Sequence, residues 1–308
     1  MPTHALAEGS RLNTPKIESE WLRSLARGEQ PDPQSLKTHL MTVHRHFTGF
    51  TENCAGRCLD EAGRTTYQWL AEQGAVPGSD CPTILDLACG SGPLLAECAA
   101  SYPGADLIGV DMSPDELALA KARLSGSVVT LHQAMAQELS MIDTASVDVV
   151  LCHWALTLMD PVEPVMAEIA RVLRDDGVFA AIVDGPGSIA PGYEAIDRII
   201  FDAVAQTVPL YGTIEIGDPR VRTAEALEEL VRSAFPHAAV HLETAVVRLS
   251  GPPCDVAREA AGFYYASFAL PPYDHAEMLE HVEAQLRAMG NSGDVTFSMP
   301  VTRLVVRL

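Results

Sequence analysis

The ten residues Thr83-Ile-Leu-Asp-Leu-Ala-Cys-Gly-Ser-Gly92 constrain this chain more than any others. An apolar run that reads as a buried strand carries an acid, Asp86, near its end. It then turns through Ala88, Gly90 and Gly92 into a helix opened by Pro93. Glycine tolerates positive φ and lets a ligand approach the backbone closely, and proline loses nothing at the first helical position, where the N–H has no partner anyway. Nineteen residues after Gly92 a second acid, Asp111, closes the next strand-like run, Asp106-Leu-Ile-Gly-Val-Asp111. An acid at that distance suits the hydroxyls of a ribose presented at the edge of an open parallel sheet.

Two ligands use such a layout. A dinucleotide fingerprint needs a third glycine for close packing of helix on strand, but Gly90-Ser-Gly92-Pro-Leu-Leu95 places leucine there. Asp86, four residues before the glycine pair, would face a cationic or amino-bearing ligand rather than a pyrophosphate. Asp86-Leu-Ala-Cys-Gly-Ser-Gly92 resembles motif I of the class I S-adenosylmethionine-dependent methyltransferases, and Asp111-Met112 resembles their ribose-binding position. The likeness runs from about residue 83 to 185 and more loosely beyond.

The resemblance implies an α/β fold, a Rossmann-like seven-stranded, mostly parallel sheet with helices on both faces, and S-adenosylmethionine as cofactor. It places Asp86 and the Ala88-Cys89-Gly90 backbone on the methionine portion, Asp111 on the ribose and Met112 over the adenine face. Cys152, at the end of the fourth strand, joins the cofactor-binding set. After the third strand the family usually has an acid that bonds the adenine amino group. Here His132-Gln-Ala-Met-Ala-Gln-Glu-Leu139 puts Met135 at that position with Ala136 next. Thioether sulfur is a weak acceptor, so the Ala136 N–H, Gln137 or Gln133 would have to serve; one missing bond costs only about 1 kcal/mol.

The order of elements agrees with an alternating α/β domain. Strands are expected at 83–88, 106–111, 127–132, 147–153, 177–184, 238–249 and 295–307, with an amphipathic segment at Thr65–Gln73 before the first. A helix over 114–124 has Ser113 as N-cap and an inner stripe of Leu117, Ala120, Lys121 and Leu124; a second, over 161–174, lines Val162, Val165, Met166, Ile169 and Leu173 on one face. Asp175-Asp176 reads as a turn. Residues 1–80 form an expected N-terminal helical cap, its first 15 or so poorly ordered; Ser35–Phe47 reads as a helix and Thr48–Asn53 as irregular. Residues 81–308 form the catalytic domain, with lid insertions at about 185–221 and 252–292. In the resembled family such additions build the acceptor pocket.

A net charge of −20, with Lys16, Lys37 and Lys121 as the only lysines, argues against a nucleic-acid partner, which requires a basic patch. No apolar run reaches the roughly 18 residues of a membrane span, and no basic-then-apolar leader opens the sequence, so a cytoplasmic location is expected. The seven cysteines form no CxxC pair and read as reduced thiols. A homodimer is left open.

The fourth strand runs into His153-Trp154, where the family presents residues to the methyl and its acceptor. A histidine there can act as general base, which makes His153 the catalytic candidate. His132, His153, Asp160 and Asp184 make no convincing metal set, and no metal is expected. The reading is methyl transfer to a small organic molecule, oxygen first, then nitrogen or carbon, with a specialised metabolite in view from the Arg-over-Lys bias. Two alternatives stay open: the same fold using the cofactor without chemistry, as a cyclase or sensor, and a nicotinamide oxidoreductase.

Overall fold

Seven stretches pair into one sheet: β1 (Thr83–Leu87), β2 (Asp106–Asp111), β3 (Val129–Gln133), β4 (Val147–His153), β5 (Leu173–Asp184), β6 (Ala239–Gly251) and β7 (Val295–Arg307). Their order is β3-β2-β1-β4-β5-β7-β6, with β7 antiparallel to both its neighbours and β1 to β5 parallel. The computed structural model describes residues 17–214, 216–290 and 293–308. The expectation of poor order at the extreme N-terminus lies outside the described residues.

The apolar strands are continuous because both faces are covered. Ile84, Val149, Leu151, Ala180 and Ile182 face a layer built from α1 (Glu20–Ala26), α2 (Pro33–His46), α3 (Phe50–Ala55), α4 (Thr66–Ala71), α5 (Pro93–Ser101), α8 (Tyr193–Thr207), α10 (Pro253–Gly262) and α11 (Pro272–Met289). The alternate residues Leu85, Leu87, Val150, Cys152, Phe179 and Ala181 face α7 (Glu163–Val172) and α9 (Ala224–Ala234). Each valine, leucine, isoleucine or phenylalanine among them, taken fully out of water, contributes about 1.5–3 kcal/mol. This is the Rossmann-like α/β sheet with helices on both faces that the sequence led us to expect.

Several local expectations need correction. The Asp175-Asp176-Gly177 turn lies inside β5, not before it. Val147 pairs with Leu173 but Val149 with Val178, so the intervening residues loop out as a bulge and keep the strand continuous. Of the stretch 48–53, expected to be irregular, residues 50–53 belong to α3; Gly49 opens the helix at φ +71, and Phe50, Cys54 and Ala55 are buried. The helix α6 (Pro114–Arg123) starts at Ser113 as expected, whose hydroxyl accepts from the Glu116 N–H. Its inner face differs, however: Lys121 is exposed and Glu116 is buried. In α4 the Thr65–Gln68 capping box fixes the helix start and sets Thr66 and Tyr67 beside the end of β4.

Candidate functional site

The turn after β1 is backbone in an unusual conformation. Ala88, Gly90 and Gly92 have φ of +61, +51 and +78. A positive φ on the non-glycine Ala88 costs on the order of 1 kcal/mol or more and persists only where the surroundings enforce it. The two glycines serve different ends. A Cβ built on Gly90 would meet nothing within 4 Å, whereas one on Gly92 would lie 3.1 Å from Ala120 Cβ and 3.2 Å from Leu124 Cδ1. Gly92 lets α6 pack; Gly90 leaves room for something else. The close helix–strand approach that a third glycine would provide is supplied from β2. A Cβ on Gly109 would fall 2.7 Å from Leu95 Cδ1.

Beside the turn stand the two carboxylates. Asp86 is 1% exposed, and neither of its oxygens has a hydrogen-bond partner. Burial, then the charge of Asp111, pushes its carboxyl well above the usual range. A buried carboxylate without a donor is costly, and what would relieve it is a cation or an N–H group from outside the fold. Asp111 accepts from the Gly90 N–H on Oδ2 and the Ser113 N–H on Oδ1, both at 2.8 Å. Burial raises its carboxyl, and those two N–H groups pull it back. Each oxygen keeps a second lone pair, so hydroxyl donors still find an acceptor there.

The fit to S-adenosylmethionine is therefore good on the methionine and ribose sides: an unmatched carboxylate, an open glycine, and a second acid tying the turn to α6. Cys89 and Cys152 flank Asp86 as buried thiols. Burial, with Asp86 next, raises both, Cys152 to about 12, which keeps them neutral and apolar. Of the residues expected at the adenine, Met112 and Met135 are half-buried and Ala136 is buried. Gln133 Nε2 donates to the Met112 carbonyl at 3.3 Å, while Gln137 Oε1 is buried without a partner.

His153 ends β4, with Nε2 2.9 Å from Thr66 Oγ1 and its ring stacked on Tyr67 at 3.9 Å. Burial lowers its pKa to about 3. The imidazole is thus neutral near pH 7 and a weak proton acceptor; its surroundings suit positioning better than base chemistry. Trp154, in a left-handed conformation at φ +57, donates from Nε1 to Asp184 Oδ1 at 2.8 Å. Asp184 ends β5 much as Asp111 ends β2. The recurrence of a strand-terminal acid is the signal in the sequence, where Asp184 stands out only as a metal candidate. Among the described residues no group of three or more His, Cys, Asp or Glu could hold a metal ion.

The N-terminal helices reach this edge through contacts that no local pattern announces. Glu116 Oε1 accepts from the Gly49 N–H at 3.0 Å and lies 2.9 Å from His44 Nδ1, while His44 Nε2 is 2.8 Å from the Tyr265 hydroxyl. Glu52 accepts from Ser91 Oγ at 2.8 Å and from Arg123 Nη2 at 2.6 and 2.8 Å. Ser91 belongs to the glycine turn, so α3 is clasped directly onto it.

Residues 85–181 match a family described as "Methyltransferase domain". A ubiquinone/menaquinone biosynthesis C-methyltransferase of Desulfotalea psychrophila is 34% identical over 162 residues, 49% of this chain and 64% of that protein. A trans-aconitate 2-methyltransferase of Methylobacterium radiotolerans is 30% identical over 165 residues, 54% of this chain and 58% of the relative. The chain thus spans less than two thirds of the length of these curated relatives. Among solved structures, the cyclase SpnF superposes with a TM-score of 0.56 at 17% identity, covering 90% of this chain and 97% of that one.

Proposed function

Residues 85–181 are a methyltransferase domain of the class I, S-adenosylmethionine-dependent kind, and from that premise we propose that the protein transfers a methyl group to a small organic acceptor, oxygen first, then nitrogen or carbon. The observation that carries this reading is the partnerless carboxylate of Asp86 beside the open face of Gly90. When bound, S-adenosylmethionine supplies a methyl already activated on a sulfonium, so neither a metal nor a covalent nucleophile is required of the protein. The protein's task is alignment, which by itself supplies several kcal/mol of the barrier reduction. Asp86 and the Ala88–Gly90 backbone would hold the amino-acid portion, Asp111 the ribose hydroxyls, and Met112, Met135 and Ala136 the adenine. His153 would fix the acceptor edge through Thr66 and Tyr67. The clasp of α3 on the glycine turn through Glu52, with lid additions within 185–214 and 252–290, favours a small acceptor, and a specialised metabolite fits. A net charge of −20 disfavours nucleic acid, and no described helix is long and apolar enough to cross a membrane.

A thermal-shift comparison tests the cofactor. S-adenosylhomocysteine should raise the midpoint, since selective binding stabilises by mass action; a rise with NAD alone would reverse the assignment. Single turnover with methyl-labelled cofactor then tests the chemistry. Label appearing on an acceptor supports transfer, whereas label retained on the donor throughout a productive reaction indicates the non-chemical role.

A further inference from the structure

Two further acids stand outside the groups assigned to the cofactor: Asp184 at the carboxyl end of β5, and Asp197 on α8, which feels its charge. Asp184 is bonded by Trp154, and Trp154 packs edge-on against Phe263 at 4.7 Å. Tyr264 follows, its ring 6.4 Å from Tyr193 and 6.3 Å from Phe201 on α8. Tyr193, Asp197 and Phe201 recur every four residues, which puts them along one stripe of that helix. The Tyr264 hydroxyl is buried without a well-formed hydrogen bond, the Tyr193 side chain being its polar neighbour. Burial raises Asp184 and Asp197, and burial first, with the charges of these two acids adding to it, raises both tyrosines.

The sign of this cluster is one-sided. Its rings offer negative faces and its polar atoms are chiefly acceptors. Asp197 has no ion-pair partner among the described residues, and the charges that shift its carboxyl are those of the acids Asp184 and Glu194, after burial. Among the described residues Arg222 is the one cation acting on Asp184, and its Nη2 donates to the Ile216 carbonyl at 2.8 Å. An anionic acceptor, such as the aconitate in the name of one relative, would meet two carboxylates and a set of ring faces. Cations find the opposite: opposite charge and aromatic faces together.

We propose that this cluster is the acceptor's recess and that it takes a small organic ammonium ion, the charge held between Asp184 and Asp197 and the apolar remainder against Trp154, Phe263, Tyr193 and Tyr264. This specifies the acceptor class and rests on the methyl-transfer reading above. The test is calorimetric titration, with and without saturating S-adenosylhomocysteine, of paired probes sharing one skeleton: tyramine against 3-(4-hydroxyphenyl)propionate, and tryptamine against 3-(indol-3-yl)propionate. Each amine should bind about tenfold or more tighter than its carboxylate twin. Asp197→Asn and Asp184→Asn should erase most of that preference and leave S-adenosylhomocysteine affinity unchanged. Asparagine can still accept from Trp154, so the wall of the recess is kept. Carboxylates binding as well as amines, absence of amine binding, or preference surviving in both variants would overturn the proposal. S-adenosylhomocysteine binding without amine preference sinks only this inference, whereas failure of S-adenosylhomocysteine to bind sinks the cofactor reading and leaves the amine titration as an independent result.

Discussion

Replacing Asp86 by asparagine removes one charge and almost no volume at the middle of the sheet, where Asp86 pairs with Gly109 on one side and Leu151 on the other. In the free protein its carboxyl is raised, by burial first and by Asp111 second. A raised folded-state value means stability that is complete below the unfolded pKa of about 3.9 and is lost as pH climbs through the folded one, at up to about 1.4 kcal/mol per pH unit. A ligand ammonium reverses the balance, because it favours the ionised carboxylate. Binding should therefore release a proton and tighten with rising pH. The amide of the Asp86→Asn variant has no such proton to release, and it forfeits a charge-assisted bond of about 1.5–3 kcal/mol, roughly 10- to 150-fold in affinity. The assay is calorimetry of S-adenosylhomocysteine between about pH 6 and about pH 8, in buffers of different ionisation enthalpy, with parent and Asp86→Asn protein. As control, 5′-methylthioadenosine lacks the amino-acid portion and should bind both proteins alike. Equal affinity of S-adenosylhomocysteine for parent and variant, or equal loss for both ligands, would refute the role assigned to Asp86.

Asp111→Ala should weaken S-adenosylhomocysteine by about 1–3 kcal/mol, measured by the same titration, and lower the midpoint of the free protein, because the Gly90 and Ser113 N–H groups lose their acceptor. His153→Ala should reduce turnover while sparing cofactor affinity. With the parent imidazole held at about 3 by burial, the rate profile should show no histidine inflection near its ordinary value of about 6.5; unchanged turnover would remove His153 from the acceptor edge. His39 is buried against Trp21, with Nδ1 on Ser19 and Nε2 unpartnered, and burial lowers it to about 4. That depression stabilises the fold above the unfolded value and is lost as pH falls from about 6.5 toward 4, on the order of 3 kcal/mol in all. Urea midpoints of His39→Gln should be less acid-sensitive than those of the parent.

What was legible in the sequence is what chemistry fixes locally. The turn after β1 announces itself because Gly90 and Gly92 occupy left-handed positions and Pro93 opens a helix. The strands announce themselves because buried parallel strands are apolar throughout, and all seven fall within a few residues of expectation. Glu116 was illegible for the opposite reason. On α6 it looks like a solvated first-turn acid, and only the folded chain brings it to Gly49 and His44, about 70 residues away. The irregular reading of 48–53 fails likewise at residues 50–53, since a short helix opened by glycine draws its stability from Phe50 packing on Tyr265 and Phe268, not from propensity. The pairing of Trp154 with Asp184 spans two neighbouring strand ends, and a one-dimensional pattern carries no register between them.

The position of β7 governs how this molecule can be assembled. It lies between β5 and β6, so a nascent chain that has emerged only as far as residue 294 holds two long strands with no shared neighbour. Their open backbone edges invite pairing with other chains. Thirteen residues then have to thread into that gap, closing one ladder of seven pairs and another of thirteen. Contacts of such long sequence separation form slowly. The interval before that closure is where a chaperone would matter most, and where overproduction would most readily yield aggregate in place of folded protein.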